Sequence, residues 1–137
     1  MKRNTFVAML ILGAAAATSS AWASGGDVSA GQNLFAARCV ACHGLNPTRR
    51  PGPPLAGVYG RRAGSVASYH YSAALKAAPV TWNEATLDRW LTSPPAFIPG
   101  VNMQAQVDSE QERQNLIAYL KSMSAAAAAQ KSASSGR

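Results

Sequence analysis

Arg38 to Gly44 reads "RCVACHG", and this stretch holds both cysteines of the chain and one of its two histidines. Three chemistries fit a C-x-x-C: a thioredoxin-like redox pair, half of a zinc site, or the covalent attachment point of a c-type haem. The residues around it have to choose among them.

The chain has 137 residues, which is room for one domain. Its N-terminus is not expected to belong to that domain. Lys2 and Arg3 form a basic start, Phe6 to Ala17 ("FVAMLILGAAAA") is an apolar run short for a bilayer span, and Ala21 to Ala23 ("AWA") is a small-x-small cleavage signal. Residues 1–23 are therefore expected to be a secretory signal peptide, cut before Ser24, with the mature chain exported to the periplasm. Losing Lys2 and Arg3 leaves 11 basic residues against 6 acidic ones, a net +5. That modest, scattered excess suits an acidic protein partner or a membrane surface and does not form a nucleic-acid footprint. An uncut signal would give a membrane-tethered form instead. At the other end, "SAAAAAQKSASSGR" (Ser124 to Arg137) is Ala/Ser-rich and without an apolar stripe, so residues 124–137 are expected to fray into a disordered tail. Residues 27–123 remain for the folded domain.

The patterning of that domain is helical. Asp27 can cap a first helix whose apolar side is Val28, Leu34 and Phe35. A short helix is expected around Ser72 to Ala77. Asn83 can cap a third, with Leu87, Trp90 and Leu91 on one face and Pro94-Pro95 as its stop. "SEQE" (Ser109 to Glu112) reads as a capping box before a stripe of Leu116, Ile117, Leu120 and Met123. Between the first two helices runs a Gly/Pro-rich loop, His43 to Tyr71, with no strand period. A loop this long is reasonable in a small domain if it wraps something large and rigid.

Thioredoxin-like chemistry needs the C-x-x-C to open a helix after a strand; here it follows a helix. Structural zinc needs four ligands, and beyond Cys39, Cys42 and His43 the chain offers only His70 and carboxylates. The haem reading explains all three residues. Each thiol adds to one vinyl group, and the adjoining His43 imidazole binds iron. A sixth ligand has two thioether candidates once the signal peptide is excluded. Met123 sits on a helical stripe, where core packing explains it. Met103 sits in an irregular stretch, "FIPGVNM", with no helical face to fill. His70, in a polar loop between two tyrosines, is a weaker rival.

With those residues in place, the chain resembles the class I cytochromes c, of the mitochondrial and bacterial cytochrome c2 type. The resemblance rests on "AGQNLFAARCVACHG", "GPPLAGVYGRRAG", "YHYSAALK", "VTWNEATLDRWLTSP", "FIPGVNM" and "NLIAYLK", all in family order. It implies an all-α fold with crossing N- and C-terminal helices, and short helices and long loops wrapped round one covalently bound haem c. It implies Cys39 and Cys42 as attachment points, and His43 and Met103 as iron ligands. The Pro53 carbonyl would then accept from the second nitrogen of His43, and Arg61, Tyr71 and Trp82 would surround a haem propionate. Gly31, Phe35, Leu116 and Tyr119 match the helix crossing.

Three interior positions depart from the family pattern. Trp90 stands where a Tyr usually faces the methionine sulfur, Leu75 where an Asn lies, and Val101 where a Thr lies. Around the Met103 loop, Pro95, Ala96 and Asn102 replace the lysine ring of mitochondrial relatives. The function implied is one-electron carriage between redox protein partners (an oxidase, reductase or dehydrogenase), by a monomer in transient complexes and not by an enzyme. The thin lysine ring keeps a second reading open: the dedicated electron acceptor of a periplasmic dehydrogenase. A ligand-binding or peroxidatic haem would need an open sixth site, which Met103 opposes.

Overall fold

A computed structural model of the protein describes residues 25–47 and 49–136. The expected signal segment, 1–23, lies outside the described residues. Five helices follow in order: α1 (Val28–Arg38), α2 (Ala73–Ala77), α3 (Glu84–Thr92), α4 (Pro94–Phe97) and α5 (Glu110–Ser135). Among the described residues the only β pairing is an isolated bridge between Arg62 and Thr81.

The helix starts follow side-chain capping. The Asp27 carboxylate accepts from the Ala30 N–H at 2.6 Å. Ser72 caps α2 through the Leu75 N–H. Asn83 and Thr86 form a reciprocal capping box, each side chain accepting from the other's backbone N–H at 2.9 and 2.8 Å. Only half of the expected box opens α5. Ser109 accepts from Glu112 N–H at 3.3 Å, while the Glu112 carboxylate pairs instead with Arg38 of α1.

α1 and α5 cross at Gly31. A Cβ there would overlap the Asn115 carbonyl and fall 2.9 Å from Tyr119 Cβ, so only glycine lets the two backbones come this close. Beside the crossing, Phe35 and Tyr119 stack at 5.4 Å between ring centroids. Asp27 N–H also donates to Asn115 Oδ1 at 2.8 Å, tying the start of α1 to α5. Leu116, Ile117 and Leu120 of α5 and Leu87, Trp90 and Leu91 of α3 are all buried, as their spacing predicts, and Met123 packs against this core. Val28 is not part of the apolar side; it is 44% exposed. Within α1, burial begins at Gly31.

One expectation is met and extended, and a second is corrected. Pro94-Pro95 end α3 but also start α4, because proline at the first helical positions lacks only an N–H that has no partner there anyway. The Ala/Ser segment is no frayed tail: α5 continues through it to Ser135. Alanine has the best intrinsic helix propensity, so an already nucleated helix propagates through such a run without tertiary contacts. Ser124, placed with that tail by sequence, is buried. Its hydroxyl accepts from Tyr59 N–H at 3.0 Å and donates to Leu120 O at 2.8 Å. Beyond it, the helix is mostly exposed.

The long loop is held by backbone hydrogen bonds rather than by strands. Gly52 N–H donates to Cys42 O, Leu55 N–H to Gly44 O and Ala56 N–H to Leu45 O, at 2.8, 2.8 and 3.0 Å. Further on, Gly60 N–H donates to Trp82 O and Trp82 N–H to Arg61 O. These bonds fold the loop back on the end of α1 and on the approach to α3, leaving a cavity between them.

Candidate functional site

That cavity has a volume of about 330 Å³, the size class of a small-molecule or cofactor site. Its walls include all eight residues singled out from sequence: Cys39, Cys42, His43, Pro53, Arg61, Tyr71, Trp82 and Met103. The weaker candidate His70 reaches it too, from an exposed position.

Cys39 caps the C-terminal end of α1, and the following turn is closed by His43 N–H donating to Cys39 O at 2.8 Å. One helical turn thus sets both thiols and the imidazole at one end of the cavity. The two cysteines are not joined in a disulfide. Burial pushes the Cys39 thiol up from its ordinary value, with Arg38 pulling against it and Cys42 adding a little. Thioredoxin-like nucleophiles have their thiols pushed down, so this site is built the other way.

The imidazole is fixed on its far side. His43 Nδ1 lies 2.9 Å from Pro53 O, which selects the tautomer with the proton on Nδ1 and leaves Nε2 with a free lone pair. Burial lowers the affinity of His43 for a second proton, opposed in part by the Pro53 contact. The result is a neutral, oriented imidazole, the form that binds a metal. Gly52 is the floor under the ring: a Cβ there would lie 2.6 Å from Nδ1 and 2.9 Å from Nε2. Sequence reasoning passed over Gly52, although its place between Pro51 and Pro53 in a loop of fixed shape was a signal. Tyr69 was also missed; its hydroxyl donates to Pro51 O at 2.6 Å and its ring meets Tyr71 edge-on at 4.7 Å.

Met103 is half-buried, packs against the core and lines the same cavity. Its segment has no helix; it enters through Gly100 at φ 89° and leaves through Val107, whose N–H donates to Leu91 O at 2.7 Å. Trp90 lines the cavity from α3 and packs on Trp82 at 5.2 Å between ring centroids. Leu75 and Val101 add apolar wall where the family pattern has polar groups. On the polar side, Arg61 donates to Ala56 O at 3.0 Å and to Pro54 O at 2.9 Å, which aims a guanidinium at the cavity beside Tyr71. Burial lowers the Arg61 pKa and raises that of Tyr71, and each favours the other's charged form.

The residues fit a haem. Two thiols one turn apart suit two thioether bonds. A neutral imidazole with a free Nε2 and a thioether suit the iron, and a half-buried cation with a phenol suits acidic side groups. Among the described residues no cluster of three or more His, Cys, Asp or Glu could hold a bare metal ion.

Fold and site together define a small all-helical cofactor protein whose loops close over a cavity with two thiols and an imidazole at one end. The cytochrome c family model matches residues 28–124. Cytochrome c of Nigella damascena is 38% identical over 106 residues, covering 75% of this chain and 96% of that protein. Cytochrome c of Gibberella zeae is 41% identical over 101 residues, covering 72% and 95%. The solved structure of cytochrome cH from Methylobacterium extorquens superposes with a TM-score of 0.67 at 38% identity, covering 71% of this chain and 99% of that one. The chain belongs to the cytochrome c family. It has the class I cytochrome c fold, its cofactor is covalently attached haem c with iron, and it is an electron carrier.

Proposed function

We propose that the protein is an exported, periplasmic one-electron carrier. In this reading Cys39 and Cys42 hold the haem, and His43 and Met103 ligate its iron in both oxidation states. The observation that carries the reading is that these four side chains line one cavity while His43 Nδ1 is already committed to Pro53 O.

When bound, the haem supplies a one-electron ferric/ferrous couple. The protein's part is to keep the surroundings unchanged between the two states. His43 is held by Pro53 and Gly52, so its ring has little freedom to turn. Met103 offers a soft sulfur, which favours the ferrous form relative to a second imidazole. Arg61 and Tyr71 supply the donors that a half-buried acid needs. In this reading no residue is asked to make or break a substrate bond, and the protein serves as a carrier rather than an enzyme. Among the described residues no helix is long and apolar enough to cross a membrane; periplasmic location rests on the signal-like N-terminus.

The test is the visible spectrum of the protein, oxidised and then reduced. A low-spin ferrous c-type spectrum is expected, with a weak far-red methionine–iron band in the oxidised form that disappears in Met103→Ala. A high-spin spectrum that binds carbon monoxide at once would defeat His/Met ligation.

A second reading, the dedicated acceptor of a periplasmic dehydrogenase, is favoured by the uncharged surface beside the cavity. Asn102 and Ala96 are exposed, with Pro95 half-exposed, and none carries charge. Copurification with a dehydrogenase at moderate salt would select it.

A further inference from the structure

Arg113 is a charged residue buried to 9% exposure in α5, in the helix that follows the Met103 segment. Its Nε donates to Asp88 Oδ1 of α3 at 2.7 Å. Its Nη1 donates to Val107 O at 3.0 Å and to Asp108 O at 2.8 Å. One guanidinium therefore joins three pieces of chain: α3, α5 and the stem of the segment that carries Met103. Val107 is itself pinned to α3 through Leu91 O. Upstream of Val107 the hydrogen bonding is thin: the Gln104 side chain reaches Val101 O at 3.5 Å, a marginal length.

We propose that Arg113, oriented by Asp88, is the positioning residue of the Met103 segment and sets how often that segment opens. A buried guanidinium must have its donors satisfied, and the carbonyls of Val107 and Asp108 do this only while the segment is seated. Lifting it leaves the cation facing Asp88 alone. The Asp88 side chain is 41% exposed, against 11% for Arg113, so its part is to aim the fork rather than to supply buried charge pairing. A lysine at 113 would keep the charge but could not span Asp88 and two carbonyls at once. The Met103 consequence rests on the His43/Met103 ligation proposed above; the opening of the segment does not.

The experiment compares backbone amide hydrogen exchange in the haem-loaded wild type, Asp88→Ala, Asp88→Asn and Arg113→Lys. Exchange of the Val107 amide, which is hydrogen-bonded to Leu91 O, is expected to quicken roughly ten- to a hundredfold in Arg113→Lys, the size of losing charge-assisted hydrogen bonds. Asp88→Ala and Asp88→Asn should show the same effect more weakly, and amides of α1 should change far less. The far-red methionine–iron band should then fade at a lower urea concentration than helix unfolding, with the gap wider than in the wild type. The same factor of change in α1 and at Val107 would overturn the proposal, because Arg113 would then merely stabilise the whole domain. Should Arg113→Lys not fold, the two Asp88 variants, altered at a partly exposed position, decide the question alone. A wild type without the far-red band would remove the Met103 ligation and leave the exchange result to judge the clamp.

Discussion

Gly52 shows how tightly a single position controls this site. Its missing side chain is the space His43 occupies, and the same loop supplies the Pro53 carbonyl that holds Nδ1. In Gly52→Ala the ring or the loop must shift, at a cost on the order of 1–3 kcal/mol typical of overpacking. The larger effect should be electronic. A weaker Nδ1–H···O contact makes the imidazole a poorer donor to iron. The reduction potential is therefore expected to rise, which a redox titration reads directly. Leu75 and Val101 work in the opposite sense. Both present hydrocarbon to the cavity, and Leu75→Asn or Val101→Thr would add a dipole to its wall. A polar group favours the more highly charged ferric state, so either variant should lower the potential. Potentials equal to wild type would show that the two positions do not tune it.

At the scale of elements, the crossing of α1 and α5 is the fixed point of the fold. Gly31→Ala puts a methyl against the Asn115 backbone, which has no flexible end to move aside. A loss of about 1–3 kcal/mol is expected, seen as a lower urea midpoint with an unchanged slope. The far end of α5 carries no such weight. It is helical through Ser135, yet mostly exposed after the buried Ser124. Truncation after Ser124 should shift stability by no more than about 0.5 kcal/mol, the range of changes away from packed features. The far-UV helical signal should still fall. A large loss of stability would mean that the extension docks on the domain.

Across the whole molecule, charge is unevenly spread. Arg38, Arg49 and Arg50 lie at or near the cysteine end of the cavity, and the Arg50 guanidinium donates to Val40 O. Around the Met103 segment, Pro95, Ala96 and Asn102 are neutral, and Asp108, Glu110 and Glu112 follow. A partner approaching that side meets Arg89, held over the Phe97 ring at 4.3 Å, in place of a ring of lysines. Its association rate should fall only shallowly with salt, because few charge pairs are available to be screened. Stopped-flow electron transfer to an acidic oxidase at several ionic strengths would measure this, and a steep decline would contradict it.

The sequence by itself determined the chemistry and the local architecture. C-x-x-C-H, the caps at Asp27, Ser72 and Asn83, and the apolar stripes of α3 and α5 depend on residues within a turn or so of one another, and local spacing reports them. The eight candidate site residues that line the cavity could all be named from pattern and family resemblance. What only the tertiary structure decided depends on distant parts of the chain meeting. The Glu112 side chain abandons its capping box because Arg38 arrives from α1. Ser124 leaves the tail because Tyr59 N–H needs an acceptor. Gly52 matters because His43 folds onto it. Arg113 reads as one more surface charge on a polar helix turn until Asp88 and the Val107 carbonyl close around it. Burial and hydrogen-bond partners of this kind are long-range properties, and no window of sequence contains both ends of them.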